Sequence, residues 1–137
     1  MQTFLPYKSF HASAQALDYR RLGKQRVEAR QILKALTNGG GWANHPATKM
    51  WRGYESALTL YSNICIKEWI SRGYNNTMAI LEQPTIFWPK WLGDNDFHSS
   101  HRAALLHKDF DYYRKFGWSE EPALNYIWPG ENNASIR

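Results

Sequence analysis

The chain has 137 residues, of which 43% are apolar, 21% charged and 15% aromatic. That balance fits one globular domain spanning residues 1–137 and excludes a disordered, collagenous or coiled-coil chain. Seventeen Lys and Arg against twelve Asp and Glu give a net charge of +5, and the surplus is unevenly placed. Residues 1–52 hold Lys8, Arg20, Arg21, Lys24, Arg26, Arg30, Lys34, Lys49 and Arg52 against only Asp18 and Glu28, a local charge of +7 that leaves −2 for the remainder.

A concentrated positive field favours a polyanionic partner, because each phosphate neutralised releases a condensed counterion; a solvated basic helix without a partner is the competing account. The one cysteine, Cys65, lies among apolar residues, which excludes a disulfide framework and a thiolate metal cage. No run of 18 or more apolar residues occurs, and the start MQTFLPYKSF lacks a signal-peptide pattern. The expectation is a cytoplasmic protein, in the host cytoplasm if it is viral, with no membrane contact.

In chain order, the first ten residues, broken by Pro6, predict an arm or brief strand against the body. Ser13 can cap a helix running to Thr37, which Asn38-Gly39-Gly40-Gly41 stops. Gly23 weakens that helix by about 1 kcal/mol. Pro46 suits a first helical position for a second helix to Arg72, with Gly53 a place where it can split into a short and a long piece. Trp51, Leu58, Cys65 and Trp69 form its core-facing stripe. A short helix is predicted over Thr77 to Glu82, followed by an ordered aromatic loop over 83–97. A last helix is expected from Ser99 to Phe116, with a possible break at Asp109, and the tail from Gly117 ends in a fraying GENNASIR. The predicted fold is all-α, a compact domain of three main helices with long aromatic loops.

At 100° per residue from Leu17, the apolar residues Leu22, Ala29, Ile32, Leu33, Ala35 and Leu36 share one arc of the first helix. Asp18, Arg21, Gln25 and Glu28 fall in the same arc, while Tyr19, Arg20, Arg26, Arg30 and Lys34 point the other way. Burying those four polar groups is costly unless they pair or face a cleft. Two accounts follow: an Asp18–Arg21–Glu28 ion-pair network that fixes packing, or a polar pocket beside a basic surface with an anionic substrate.

His98 and His101 have the i, i+3 spacing of two metal ligands, with Asp94 and Asp96 upstream, but a third ligand and its supporting partners are missing from the pattern. Contact of His101 and Arg102 with phosphate or base at a helix N-terminus is the alternative use. Ser99 and Ser100 have no triad motif around them, and neither a phosphate loop nor a dinucleotide fingerprint occurs. No metal and no cofactor are expected. Clusters such as Phe110-Asp111-Tyr112-Tyr113 and Phe116-Gly117-Trp118 interleave with Lys108, Arg114 and Lys115, a pattern that lets rings stack on bases while cations hold the backbone.

Four segments in order carry a family resemblance. They are Leu17-Asp18-Tyr19-Arg20-Arg21-Leu22 with Arg26-Val27, then HPATKMWRGYESALTLYSNICIKEWISRGYN (45–75), HSSHRAALLHK (98–108) and FDYYRKFGW (110–118). Together they resemble the phage-type pyrimidine-dimer DNA glycosylases, also called endonuclease V of the phage type. MQTFLPY and LGKQRVEA are similar to a group of small bacterial and phage relatives. The resemblance implies a compact all-α enzyme, expected as a monomer, that binds a kinked DNA duplex at a cyclobutane dimer and flips out the opposite base. It also implies attack of an α-amine on the sugar C1′ to give an imine, a glutamate that stabilises developing charge, and β-elimination.

Carried over, Arg20 and Arg26 match the basic residues of the family's first helix. Arg102 and Lys108 match its C-terminal pair at longer spacing, and Tyr112, Tyr113 and Trp118 fall in its DNA-proximal aromatic segment. Arg30 and Lys34 extend the basic face. Arg21 occupies the position of the catalytic glutamate, leaving Glu28 or Asp18, with Gln25 beside them, to supply the carboxylate function. Gln2 is too large for removal of the initiator methionine, so the reactive amine would be that of Met1, with Lys24 as the fallback. A DNA-binding module that lost the chemistry, and an enzyme that modifies a flipped base or nucleotide, are the alternatives.

Overall fold

A computed structural model describes residues 2–129. They form six α-helices and a closing 3-10 turn, with no strand among the described residues: α1 (Phe10–Ala16), α2 (Tyr19–Asn38), α3 (Pro46–Lys49), α4 (Glu55–Ser71), α5 (Asn95–Lys108) and α6 (Phe110–Tyr113), then Arg114–Phe116. The fold is all-α, and α2, α4 and α5 are the three long helices the sequence predicts.

The predicted first helix is two helices. Ser9, not Ser13, caps α1 by accepting from the Ala12 N–H at 3.1 Å. Ser13 is buried inside α1, with its hydroxyl closing on both Tyr7 backbone groups. The chain then turns extended at Leu17 and Asp18 (ψ 138 and 162) before α2 begins. The Asp18 N–H, which a continuous helix would bond, donates instead to the Tyr113 hydroxyl at 3.0 Å. At the other end, Gly39 takes φ +75, a conformation open to glycine at little cost, and stops α2 as expected. Pro46 opens α3 behind His45, whose ring nitrogen caps Ala47, and Gly53 (φ +86) separates α3 from α4.

Residues 77–82 are irregular, not helical. Side chains take the backbone groups a helix would need. Asn63 on α4 both donates to Leu81 O and accepts from Leu81 N, each at 2.9 Å, and Arg30 on α2 donates to Ala79 O. Asp94 caps α5 through Asp96 N and Phe97 N, so that helix starts at Asn95, four residues ahead of the predicted Ser99. The break at Asp109 is present. Residues 130–137, for which fraying is expected, lie outside the described residues.

α2 packs along α4, and Gly23 is the reason the two come close. A Cβ there would stand 3.1 and 3.2 Å from two ring atoms of Trp69. The core holds the fully buried Trp51, Tyr61, Tyr113, Phe97 and Leu5 with Leu22, Ile32, Leu58 and Leu105 around them. Residues 2–6 are buried as an arm and not a strand, because distant side chains bond their backbone. Gln25 accepts from Phe4 N and donates to Gln2 O (2.9 and 2.7 Å), and the Tyr61 hydroxyl donates to Phe4 O (2.7 Å). His101 Nδ1 accepts from Leu5 N (2.9 Å), and His98 pairs with Leu5 O (2.8 Å). Since His98 Nε2 accepts from Gly93 N at 2.9 Å, the proton of its neutral ring sits on Nδ1 and donates to Leu5.

Candidate active site

The arm, one face of α2, the end of α5 and the tail enclose a pocket of about 570 Å³. Arg20, Arg21, Lys24 and Glu28 line it from α2, an i, i+1, i+4, i+8 stripe on one helix face. Lys108 closes it from α5, Gln2 and Phe4 from the arm, and Tyr126 from the tail. Four cations thus surround one carboxylate. A shallower depression of about 430 Å³ lies on the other side of the same stripe, bounded by Tyr19, Gly23, Val27 and Trp69, so Arg20, Lys24 and Glu28 form the ridge between the two. A larger apolar cavity of about 830 Å³ beside Phe10, Leu60 and Trp88 contains Lys8 and His11 but no carboxylate; it lacks the paired groups that acid–base or nucleophilic chemistry needs.

The four polar residues of the α2 arc have separate fates. Asp18 is buried, and both its oxygens are taken. Arg21 Nη1 bonds each at 3.1 Å, and the Tyr113 hydroxyl donates to Oδ1. It does not reach the pocket, so its role is to anchor the start of α2. Gln25 is buried and holds the arm, its Oε1 lying 2.7 Å from the Tyr61 hydroxyl, whose one proton is shared between this oxygen and Phe4 O. Glu28 is half-buried in the pocket wall, with one long hydrogen bond from Gln25 at 3.4 Å. The ion-pair network therefore extends only over Asp18 and Arg21. Of Asp18, Gln25 and Glu28, whose convergence on one cavity would point to base or nucleotide modification, Glu28 alone lines the pocket.

Met1 lies outside the described residues. Its neighbour Gln2 is anchored at the pocket by Gln25, with its own Oε1 accepting from Thr3 N at 3.0 Å. Gln2 Nε2 is buried and has no hydrogen bond of standard geometry among the described residues, although its side chain lies close enough to the Tyr126 hydroxyl to act on it. Burial raises the Tyr126 phenol, with Gln2 and Arg21 pulling it partly back.

Several residues expected to face DNA are used internally. Arg30 does not point outward: it bonds Ser62 Oγ (2.7 Å), Asn63 and Ala79 O, and burial lowers its pKa. Arg26 stacks over Trp69 at 4.2 Å and donates to Asn76 (2.9 Å), its pKa also lowered by burial. His101 is fully buried and pushed down to about 3, first by burial and then by neighbouring His98, so it cannot touch a phosphate from the surface. Arg102 is tied to Glu120 and Pro6 O. Tyr113 is fully buried, its phenol raised by burial and by Asp18. Trp118 stacks on Tyr113 and Phe116 and donates to the Tyr7 hydroxyl. Tyr112 is half-buried under Lys115, 3.8 Å from its ring centre. Arg20, Lys24, Lys34 and Lys108 are the exposed cations of the set.

Among the described residues no group of three or more His, Cys, Asp or Glu side chains assembles as a metal site. Cys65 is buried, its thiol pushed up to about 12 by burial, which makes it an inert core group. No helix among the described residues is long and apolar enough to cross a membrane. Sequence reasoning missed Phe4 and Tyr126 as pocket walls. Phe4 reads as an ordinary core residue, and nothing local distinguishes Tyr126 within the tail.

A helical fold that sets one carboxylate among four cations at the mouth of its core presents a positively charged pocket suited to a polyanion. A sequence model of the pyrimidine dimer DNA glycosylases matches residues 1–82, more than half of the chain, and the protein belongs to that family. The family is one of DNA-repair glycosylases, and its substrate is DNA. The matched segment contains Gln2, Phe4, Arg20, Arg21, Lys24 and Glu28, whereas Lys108 and Tyr126 lie beyond it. No curated protein and no solved structure matches the chain.

Proposed function

We propose that the protein is a DNA glycosylase with an associated lyase step, acting as a single-domain monomer on damaged or modified pyrimidines in duplex DNA. The observation that carries this reading is the convergence of Glu28 with Arg20, Arg21, Lys24 and Lys108 on one pocket against the anchored arm. The cations receive the phosphates flanking the lesion. An amine attacks C1′ of the damaged nucleotide, and the C1′–N bond breaks as the base leaves with a proton. The sugar opens to an imine, and β-elimination breaks the C3′–O bond. Hydrolysis of the imine then returns the amine. Glu28, a carboxylate in the pocket wall, stabilises the cationic character that develops at C1′ and moves protons on the sugar oxygen.

The amine must be unprotonated to attack. An α-amine, with a pKa of roughly 7.7–8, meets that requirement more readily than a lysine, and the anchoring of Gln2 at the pocket favours Met1 for the role. Lys24, which lines the pocket together with Lys108, is the fallback amine. Borohydride reduction in the presence of a dimer-containing or abasic duplex tests the proposal: a covalent adduct is expected, and peptide mapping assigns it to residue 1 or to Lys24. Absence of an adduct under saturating binding would leave a DNA-binding module without the chemistry.

A further inference from the structure

The pocket does not end at Tyr126. Its ring lies 5.4 Å from that of Trp128, Trp128 meets His45 edge-on at 6.2 Å, and His45 lies 5.2 Å from Trp42. The strip rises from half-buried rings to an exposed one: Trp42 keeps 48% of its surface in water. Its backbone is nonetheless fixed. Gly39 and Gly40 turn the chain at φ +75 and +99, Ala43 N donates to Gly40 O, His45 N donates to Trp42 O, and Arg52 donates to Ala43 O at 2.9 Å. A large ring held in water on a fixed turn, with the exposed Arg52 bonded to the same turn at Ala43 O, has the attributes of a stacking platform.

We propose that the strip Tyr126, Trp128, His45 and Trp42 is a continuation of the DNA-binding surface, on which bases next to the pocket-bound nucleotide lie against the Trp42 ring. This rests on the proposed function insofar as DNA occupies the pocket. DNA fits the strip better than an apolar protein segment does. The strip is continuous with the pocket, its outer half, His45 and Trp42, sits within the part of the chain that carries +7, and stacking accepts any base.

The test is duplex binding by fluorescence anisotropy across a salt series, using a duplex with a central tetrahydrofuran abasic analogue. Trp42→Ala should weaken binding about tenfold at every salt concentration, leave the salt slope unchanged, and recover most of the loss as Trp42→Tyr. On duplexes cut back to the analogue on one side or the other, the loss should vanish for the cut that removes the bases over Trp42. Binding within twofold of wild type on the full duplex overturns the proposal, as does an equal loss on the full duplex and both shortened ones. Trp42→Gln serves in place of the alanine variant if thermal unfolding shows that the latter is not folded. Failed borohydride trapping together with a Trp42 effect removes the catalytic reading and leaves this one standing; successful trapping without a Trp42 effect removes this one alone.

Discussion

His101 offers a measurement that isolates one buried group. Its ring is fully buried, and Nδ1 accepts from Leu5 N, so protonation would replace an acceptor with a donor facing a donor. Burial holds the folded pKa down at about 3, against 6.5 for a free imidazole. With the folded value depressed, the unfolded chain binds the extra proton between those limits. The stabilisation from neutral His101 is therefore complete above pH 6.5 and is lost progressively as the pH falls towards 3.

The slope is about 1.4 kcal/mol per pH unit, so roughly 3 kcal/mol disappears between pH ~6.5 and ~4. His98, lowered mainly by burial, acts in the same direction, and carboxylates add slopes of their own, so the comparison must be with a variant. His101→Asn places an amide oxygen where Nδ1 accepts and removes the titration. Urea unfolding from pH 4 to 8 should show the variant less stable near neutrality, with the gap closing by about 1.4 kcal/mol per unit below pH 6.5. Parallel curves for the two proteins would refute the reasoning, because they would mean that the imidazole is equally easy to protonate folded and unfolded.

Three further outcomes are expected. Glu28→Gln should lower single-turnover excision and imine trapping at least a hundredfold while changing unfolding stability by under about 1 kcal/mol, since its hydrogen bond from Gln25 is long (3.4 Å); unchanged trapping would remove Glu28 from the chemistry. Lys108→Ala should reduce the salt slope of DNA binding by about 0.9, whereas Arg30→Ala, with three partners on α4 and the following segment, should cost about 2 kcal/mol of stability and leave the slope alone. Gly23→Ala gains about 1 kcal/mol of helix propensity but drives a methyl within 3.2 Å of Trp69, an overpacking worth about 1–3 kcal/mol; urea unfolding should show a net loss of about 1 kcal/mol, and a stabilised variant would mean that Trp69 gives way freely.

What the sequence made legible was chemistry written in adjacent residues. The glycine stop after Asn38, Pro46 at a helix start, the split at Gly53 and the break at Asp109 all follow from local backbone preferences. Helical periodicity likewise puts Arg21 and Glu28 in one arc, but it sets Arg20 on the opposite side, whereas Arg20 and Lys24 line the same pocket as Glu28. What was illegible depends on partners far along the chain. The break before α2 is completed by Tyr113, 95 residues away. The 77–82 segment is held by Asn63 and Arg30, and His101 is claimed by Leu5. Arg26 and Arg30 sit at helical positions that suggest an outward basic face, but the loop after α4 folds over them and converts cations into ties. The Gly23 cost visible in the sequence is real, and only the Trp69 contact supplies its reason.

The arm's dependence on side chains from elsewhere has a consequence for the order in which the molecule becomes competent. Gln25 and Tyr61 lie in α2 and α4, but His98 and His101 belong to α5, almost a hundred residues later than the segment they secure. Closing so long a loop is entropically expensive and is compensated only when the last long helix docks. Leu5 is therefore secured at the end of folding, as are Lys108 and Tyr126, which close the pocket around Gln2 and Phe4. A partly synthesised chain would already carry the cationic stripe of α2 but would have no finished cavity beside it. A positive surface suited to nucleic acid would thus precede the finished cavity, and the chemistry proposed for that cavity would be withheld until the last helix docks.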